Sequence, residues 1–266
     1  MHSDLARVLR VLSDRSVGPQ SDAQHAGAVA ANGVAAEFYT EDVHPEDWAA
    51  LQNNLGNMLA SSGSRTEAAA GDALLSRAVV AFRAALRVRT PDDRPLDWAF
   101  TQTNLATALR NQGNRTDGQA GLTLLDQAVA AFRAVLLVCA EDRNPQLWSG
   151  IQNNLGNALG DLGARMPGPA GAARLAEAAL AFHAALRVRT QDQHPVEWAL
   201  TQQNLCDLEY ERARHDTCTD DGPHLRAALA HADASLQALD PVRMPHDHGV
   251  TTALRDKILA AIALKG

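Results

Sequence analysis

The chain is poor in residues that carry chemistry. Cysteine occurs three times in 266 residues, at Cys139, Cys206 and Cys218, an odd number with no CxxC pair, which argues against a disulfide framework. There is no HExxH, no Gly-rich phosphate loop between a strand and a helix, and no nucleophile-and-base motif. His215, His224, His231, His246 and His248 crowd toward the C-terminal end with Cys218. Imidazole and thiolate are zinc ligands, but this spacing is unspecific and reads as loop and cap positions. The chain is therefore expected to be non-enzymatic, with no cofactor and no metal.

Other absences bear on partners and compartment. Only Lys257 and Lys265 are lysines, all other cations of this type being arginine, and the net charge is −7, which argues against nucleic acid or an anionic membrane as the partner. No stretch reaches the roughly 18 unbroken apolar residues of a membrane span. The first helix-like segment, DLARVLRVL, is too charged for a secretory signal. A cytoplasmic protein, monomeric or weakly self-associating, is expected. Aromatic residues are few, with four tryptophans, five phenylalanines and two tyrosines, thin for one large core. β-branched residues never alternate as a sheet needs, so the expected class is all-α.

What is present is a repeat. Trp48, Trp98, Trp148 and Trp198 stand 50 residues apart, and Pro45, Pro95, Pro145 and Pro195 keep step three residues before them. Gln52, Gln102, Gln152 and Gln202 obey the same period, as do Asn54, Asn104, Asn154 and Asn204, and Phe82, Phe132 and Phe182. The large side chains thus mark a seam between units, and the tryptophans are expected to pack. Each unit reads as two helices. Proline opens helix A, which runs from about 45 to 61 in the first full unit, and Gly63, Gly113 and Gly163 sit where a left-handed cap would close it. A loop marked by Gly71, Gly121 and Gly171 leads into helix B, LLSRAVVAFRAALRV in one unit, whose apolar residues recur at three and four. Four repeats fill 45–240. Residues 1–44 read as a degenerate capping unit, with a helix A over 4–13 and a helix B from Ala26, and 241–266 as a capping helix, which brings the expected count to about eleven helices in one domain, 1–266.

Leu55-Gly56 followed by Ala78, Phe82 and Ala85 resembles the tetratricopeptide repeat, and Ala128, Phe132, Val135 and Ala178, Phe182, Ala185 repeat the spacing. The resemblance covers 45 to about 240. It departs in period, 50 against the family's usual 34, with ten extra residues placed between the helices and six between units. It implies an α-solenoid of tandem antiparallel helix pairs in a right-handed superhelix, with helix A lining a concave groove that receives an extended peptide or a helix of a protein partner.

The asparagines are the candidate readers of that partner. On a helical wheel Trp48, Gln52, Leu55 and Leu59 share one side, and Asn53, Asn54 and Asn57 the other. Asparagine costs several tenths of a kcal/mol against alanine inside a helix, so its recurrence suggests a use. An amide offers both donor and acceptor, which suits a peptide backbone. The candidate groove is Asn53, Asn54, Asn57, Thr103, Asn104, Thr107, Arg110, Asn153, Asn154, Asn157, Gln203, Asn204 and Asp207. Asn54 and its copies could equally bond to a neighbouring helix A and stitch units together. A structural or self-assembling spacer within a larger signalling system is the alternative to a receptor.

A second rhythm of 100 residues overlies the first: QNNLGN recurs in units one and three, and AALRVRT at 84–90 and 184–190 faces AVLLVCA at 134–140. Groove sites should therefore alternate. Arg65, Arg115 and Arg165 are expected to bond terminal carbonyls or Asp42, Asp92, Asp142 and Asp192. Arg83, Arg87, Arg89, Arg133, Arg187 and Arg189 read as the solvated outer face of helix B.

Overall fold

A computed structural model describes residues 38–264 of the chain. Every regular element among them is a helix. These are α1 (Pro45–Arg65), α2 (Ala68–Val88), α3 (Pro95–Arg115), α4 (Gly118–Val138), α5 (Pro145–Arg165), α6 (Gly168–Leu186), α7 (Pro195–Arg214), α8 (Gly222–Ala238) and α9 (Pro245–Ala263). The count among the described residues is nine; the further helix A over 4–13 and most of the helix B from Ala26 fall outside them.

Each A helix begins where the sequence dictates. Proline fixes the backbone dihedral of the first turn, and the residue before it, as at His44, Arg94, Asn144 and His194, is held near φ −135° and out of the helical region. Acids in the first turn (Glu46, Asp47, Asp97, Glu197) and arginines in the last (Arg65, Arg115, Arg165, Arg214) complement the helix dipole.

The expected glycine cap is corrected. Gly63, Gly113 and Gly163 lie buried inside the last turn of α1, α3 and α5, and helix A runs four residues beyond the expected 61. Gly71, Gly121 and Gly171 likewise lie in α2, α4 and α6, not in a loop. The reason is steric. A Cβ on Gly63 would stand 3.0 Å from both Leu75 Cγ and the Gly71 carbonyl oxygen, and one on Gly71 would collide with the Thr66 carbonyl. The left-handed conformation appears instead at Gly118 and Gly168, φ 66° and 70°, the first residues of α4 and α6. The helices of the first three hairpins are thus 19 to 21 residues long, with two-residue turns such as Thr66–Glu67 between them.

The chain divides into two compact units, Met1–Val138 and Cys139–Gly266. In the first, α1 pairs with α2 and α3 with α4, α2 packs on α3, and the A helices α1 and α3 touch directly. In the second, α5 pairs with α6 and α7 with α8, α6 packs on α7, α5 touches α7, and α9 lies on α8 and α7 in the place of a further helix A. The cores are repeats of one contact. Phe82, Phe132 and Phe182 are fully buried, and the rings of Phe82 and Phe182 pack against Gly56 and Gly156, where an added Cβ would come within 2.6 and 2.7 Å of the ring. Among the described residues α4 alone is long and apolar enough to cross a membrane, but its stripe of Leu125, Ala128, Phe132 and Val135 is buried in the unit.

Candidate functional site

The wheel treated each A helix as two-faced, but among the described residues an A helix also touches another A helix of its unit, and that seam claims part of the polar side. Asn53 on α1 accepts a hydrogen bond from Asn104 Nδ2 on α3 at 3.2 Å, and Asn153 on α5 accepts one from Asn204 Nδ2 on α7 at 3.0 Å. Asn153, 9% exposed, also accepts from Thr201 Oγ1 at 3.2 Å. These four asparagines therefore bridge neighbouring A helices within a unit, the stitching arrangement, with Asn53 and Asn153 as the acceptors.

The other candidates divide differently. Asn57 on α1 and Asn157 on α5 are half-buried and make no hydrogen bond to another described residue. Thr107 is tied to its own helix, donating to the Thr103 carbonyl at 3.0 Å. Thr103 Oγ1 and Gln203 Oε1, at equivalent positions of α3 and α7, are shielded and lack a partner among the described residues. Asn54, Asn154 and Arg110 are half-buried. Asp207 is exposed on α7, yet the surrounding protein, with the Glu211 carboxylate one turn on, pushes its carboxyl up to about 6.

Below the amide bridge the seam holds an arginine that the sequence reading assigned to solvent. Arg89 follows α2, is 9% exposed and donates from Nη1 to Thr101 Oγ1 on α3 at 3.0 Å. Arg189 follows α6 and donates to Thr201 Oγ1 on α7 at 3.2 Å. The sequence carried a partial signal: where Cys139 replaces the arginine, Ile151 replaces the threonine, although Thr251 persists where Leu239 stands at the arginine position. Arg87 and Arg187 are also engaged, each over a tryptophan ring, Trp48 or Trp148, at 5.1 and 5.0 Å and paired with Glu41 or Glu141 at 2.7 and 2.6 Å. That is the packing expected of the tryptophans, though Trp48, Trp98 and Trp198 remain half-buried while Trp148 is buried.

Arg115 meets one half of its expectation. It donates to the Gly63 and Thr66 carbonyls at the end of α1, at 3.0 and 2.9 Å, but its carboxylate is Asp72, at 2.7 Å, and not one of the repeated acids. In the second unit His215 takes its place with one such bond, to the Met166 carbonyl at 3.1 Å. His224 bonds Glu209 and His231 bonds the amide oxygen of buried Gln202, each at 2.6 Å. The C-terminal histidines with described partners thus lock helices together, and among the described residues no three of His, Cys, Asp and Glu are gathered as a metal would need. Cys139 and Cys206 are buried and Cys218 half-buried, all as free thiols; burial, with Asp207 alongside, pushes Cys206 up to about 12, which makes it unreactive.

The comparisons with known proteins add no relative: no protein-family model matches the chain, and no curated protein is similar to it at a meaningful level.

Proposed function

We propose that the protein is a tetratricopeptide-like solenoid that receives an extended segment of a protein partner on its A-helix face. The observation that carries this reading is the division of labour among the repeated amides. Asn53, Asn104, Asn153 and Asn204 join the A helices, while Asn57 and Asn157, one turn further on, stay polar and unbonded among the described residues. A half-buried amide without a partner costs stability, and a bound backbone offering N–H and C=O together would satisfy it. The backbones of α1 and α3, and of α5 and α7, approach closely, whereas α2 meets α4 through the Arg83–Gln127 hydrogen bond at 3.2 Å and α6 meets α8 through the His183 and His231 rings, 6.4 Å apart; this difference supports an inward curve on the A side of each unit. Thr107 and Asp207 stand at the positions matching Asn57 and Asn157 in the intervening helices, so the face alternates along the chain.

The reading is tested by placing a photo-crosslinking residue at 57 or 157 and, for comparison, at exposed Leu180 on α6. Crosslinks to a partner segment from 57, and likewise from 157, with little capture from 180, support it for each unit by itself. Equal capture from position 180 refutes it.

A further inference from the structure

The two seam arginines are copies of one another, yet their surroundings differ in charge, where Gln146 stands for Glu46, and in room, where Gly150 stands for Ala50. In the first unit Glu46 on α1 approaches Arg89 Nε at 3.9 Å and pairs with Arg94 at 3.1 Å, so the guanidinium lies beside a carboxylate of its own chain. The next turn of α1 carries Ala50. In the second unit the residue equivalent to Glu46 is Gln146, and the residue equivalent to Ala50 is Gly150. Arg189 keeps its hydrogen bond to Thr201 but has no carboxylate within ion-pair distance among the described residues. Glu197 on α7 is the nearest influence of opposite sign, and it acts only through space. The Arg189 guanidinium also lies alongside Gly150: Nη2 would be 3.5 Å from a Cβ built there, and apart from the adjoining residues and backbone of α5 no other heavy atom comes within 4 Å of that position.

We propose that Arg189 is a carboxylate-binding site, opened on the α5 side by Gly150 and left without an internal counter-ion by Gln146. A planar guanidinium pairs with a carboxylate through two parallel N–H···O bonds, and Thr201 occupies Nη1 while Nη2 faces the gap beside Gly150. Burial already lowers the affinity of Arg189 for its proton, in keeping with a cation whose charge is poorly compensated. The carboxylate can come from an aspartate or glutamate side chain of a partner or from a chain terminus, and both offer the same two oxygens. The site includes neither Asn57 nor Asn157, so its failure would leave their receptor role untouched.

The test uses the full chain and acetate, followed at pH 7 and constant ionic strength through the arginine side-chain Nε–H resonances. Acetate should shift Arg189 and saturate, while Arg89 stays still; acetamide, neutral and of the same shape, should shift neither. Gln146→Glu restores the internal carboxylate and should weaken acetate binding about tenfold, the loss of roughly one charge-assisted hydrogen bond. Gly150→Ala, whose methyl would make only ordinary contact, should weaken it as well. N-acetylalaninate and the α-amide of N-acetylglutamate then distinguish a terminal from a side-chain carboxylate, and displacement of acetate by either supports the site. Parallel shifts of Arg89 and Arg189, binding unaffected by Gln146→Glu in a variant of unchanged helicity, or displacement by neither compound would overturn it.

Discussion

Replacing Asn153 and Asn157 separately by alanine distinguishes a stitch from a reader. The two residues are one helical turn apart on α5 and chemically identical, so alanine gains the same helix propensity at both, about 0.5 kcal/mol. At Asn153 the substitution also removes an acceptor that serves Asn204 at 3.0 Å and Thr201 at 3.2 Å, in a site 9% exposed. Thr201 keeps its bond to the Glu197 carbonyl, but the Asn204 amide is left without its partner. A stranded, partly buried donor costs about 1–3 kcal/mol, so the net loss is about 1–2 kcal/mol. At Asn157 no bond to a described residue is lost, and the net change is a gain of about 0.5 kcal/mol. Urea unfolding followed by far-ultraviolet circular dichroism reads the difference as midpoints moving in opposite directions; thermal midpoints should separate by several degrees. If both variants lose stability equally, Asn157 is bonded as Asn153 is, and the division of labour among the amides fails. If Asn153→Ala is neutral, the bridge does not form in solution.

Three further outcomes follow from the geometry. Gly56→Ala puts a methyl 2.6 Å from the fully buried ring of Phe82, so overpacking should outweigh the propensity gain by about 1–2 kcal/mol in urea unfolding, and Phe82→Leu in the same chain should recover part of it. Arg115→Ala removes the bonds to Asp72, Gly63 and Thr66 and should cost about 2–3 kcal/mol, whereas Arg65→Ala, which takes an exposed arginine off half-buried Ser61, should cost under about 1 kcal/mol. His231 and Asp207 should pull stability in opposite directions on acidification. Burial lowers His231 below its ordinary 6.5, against an upward pull from Glu209 and with a downward one from His183, so its contribution is complete above 6.5 and is lost as pH falls below it. Asp207, raised from 3.8 to about 6, disfavours the folded state above 6 and regains stability as pH falls from there toward 3.8. Stability measured from pH 7.5 to 4 should fall less steeply on acidification in His231→Gln, and Asp207→Asn should be more stable than the parent at pH 7.

The elements were legible because their punctuation is covalent. Proline at 45, 95, 145 and 195 locates the start of each of these four hairpins, and Phe82, Phe132 and Phe182 locate the second helix of the first three, without reference to neighbours. Gly63 and Gly71 were misread because a glycine between two helices signals either a left-handed cap or a crossing too close for a side chain, and only the packed partner, here Leu75, decides which. The seam was hidden for a related reason. A wheel drawn for α1 alone puts Asn53 and Asn57 together on its polar side, while contact with α3 separates them. Arg89 and Arg189 looked like solvated cations because they follow helix B by one residue or a little more; the threonine that receives each lies 12 residues on, in another helix.

The alternation of the seam sets a rule for grafting. An arginine at 89 or 189 needs the threonine 12 positions later, and Cys139 is followed at that distance by Ile151. Lengthening the protein by one duplicated hairpin would set a guanidinium against an aliphatic side chain at the new junction, or a thiol against a threonine that bonds only to its own helix. Duplicating two hairpins together preserves both matches, so the heritable brick of this architecture is 100 residues long, and libraries built from it should be cut and rejoined at that interval.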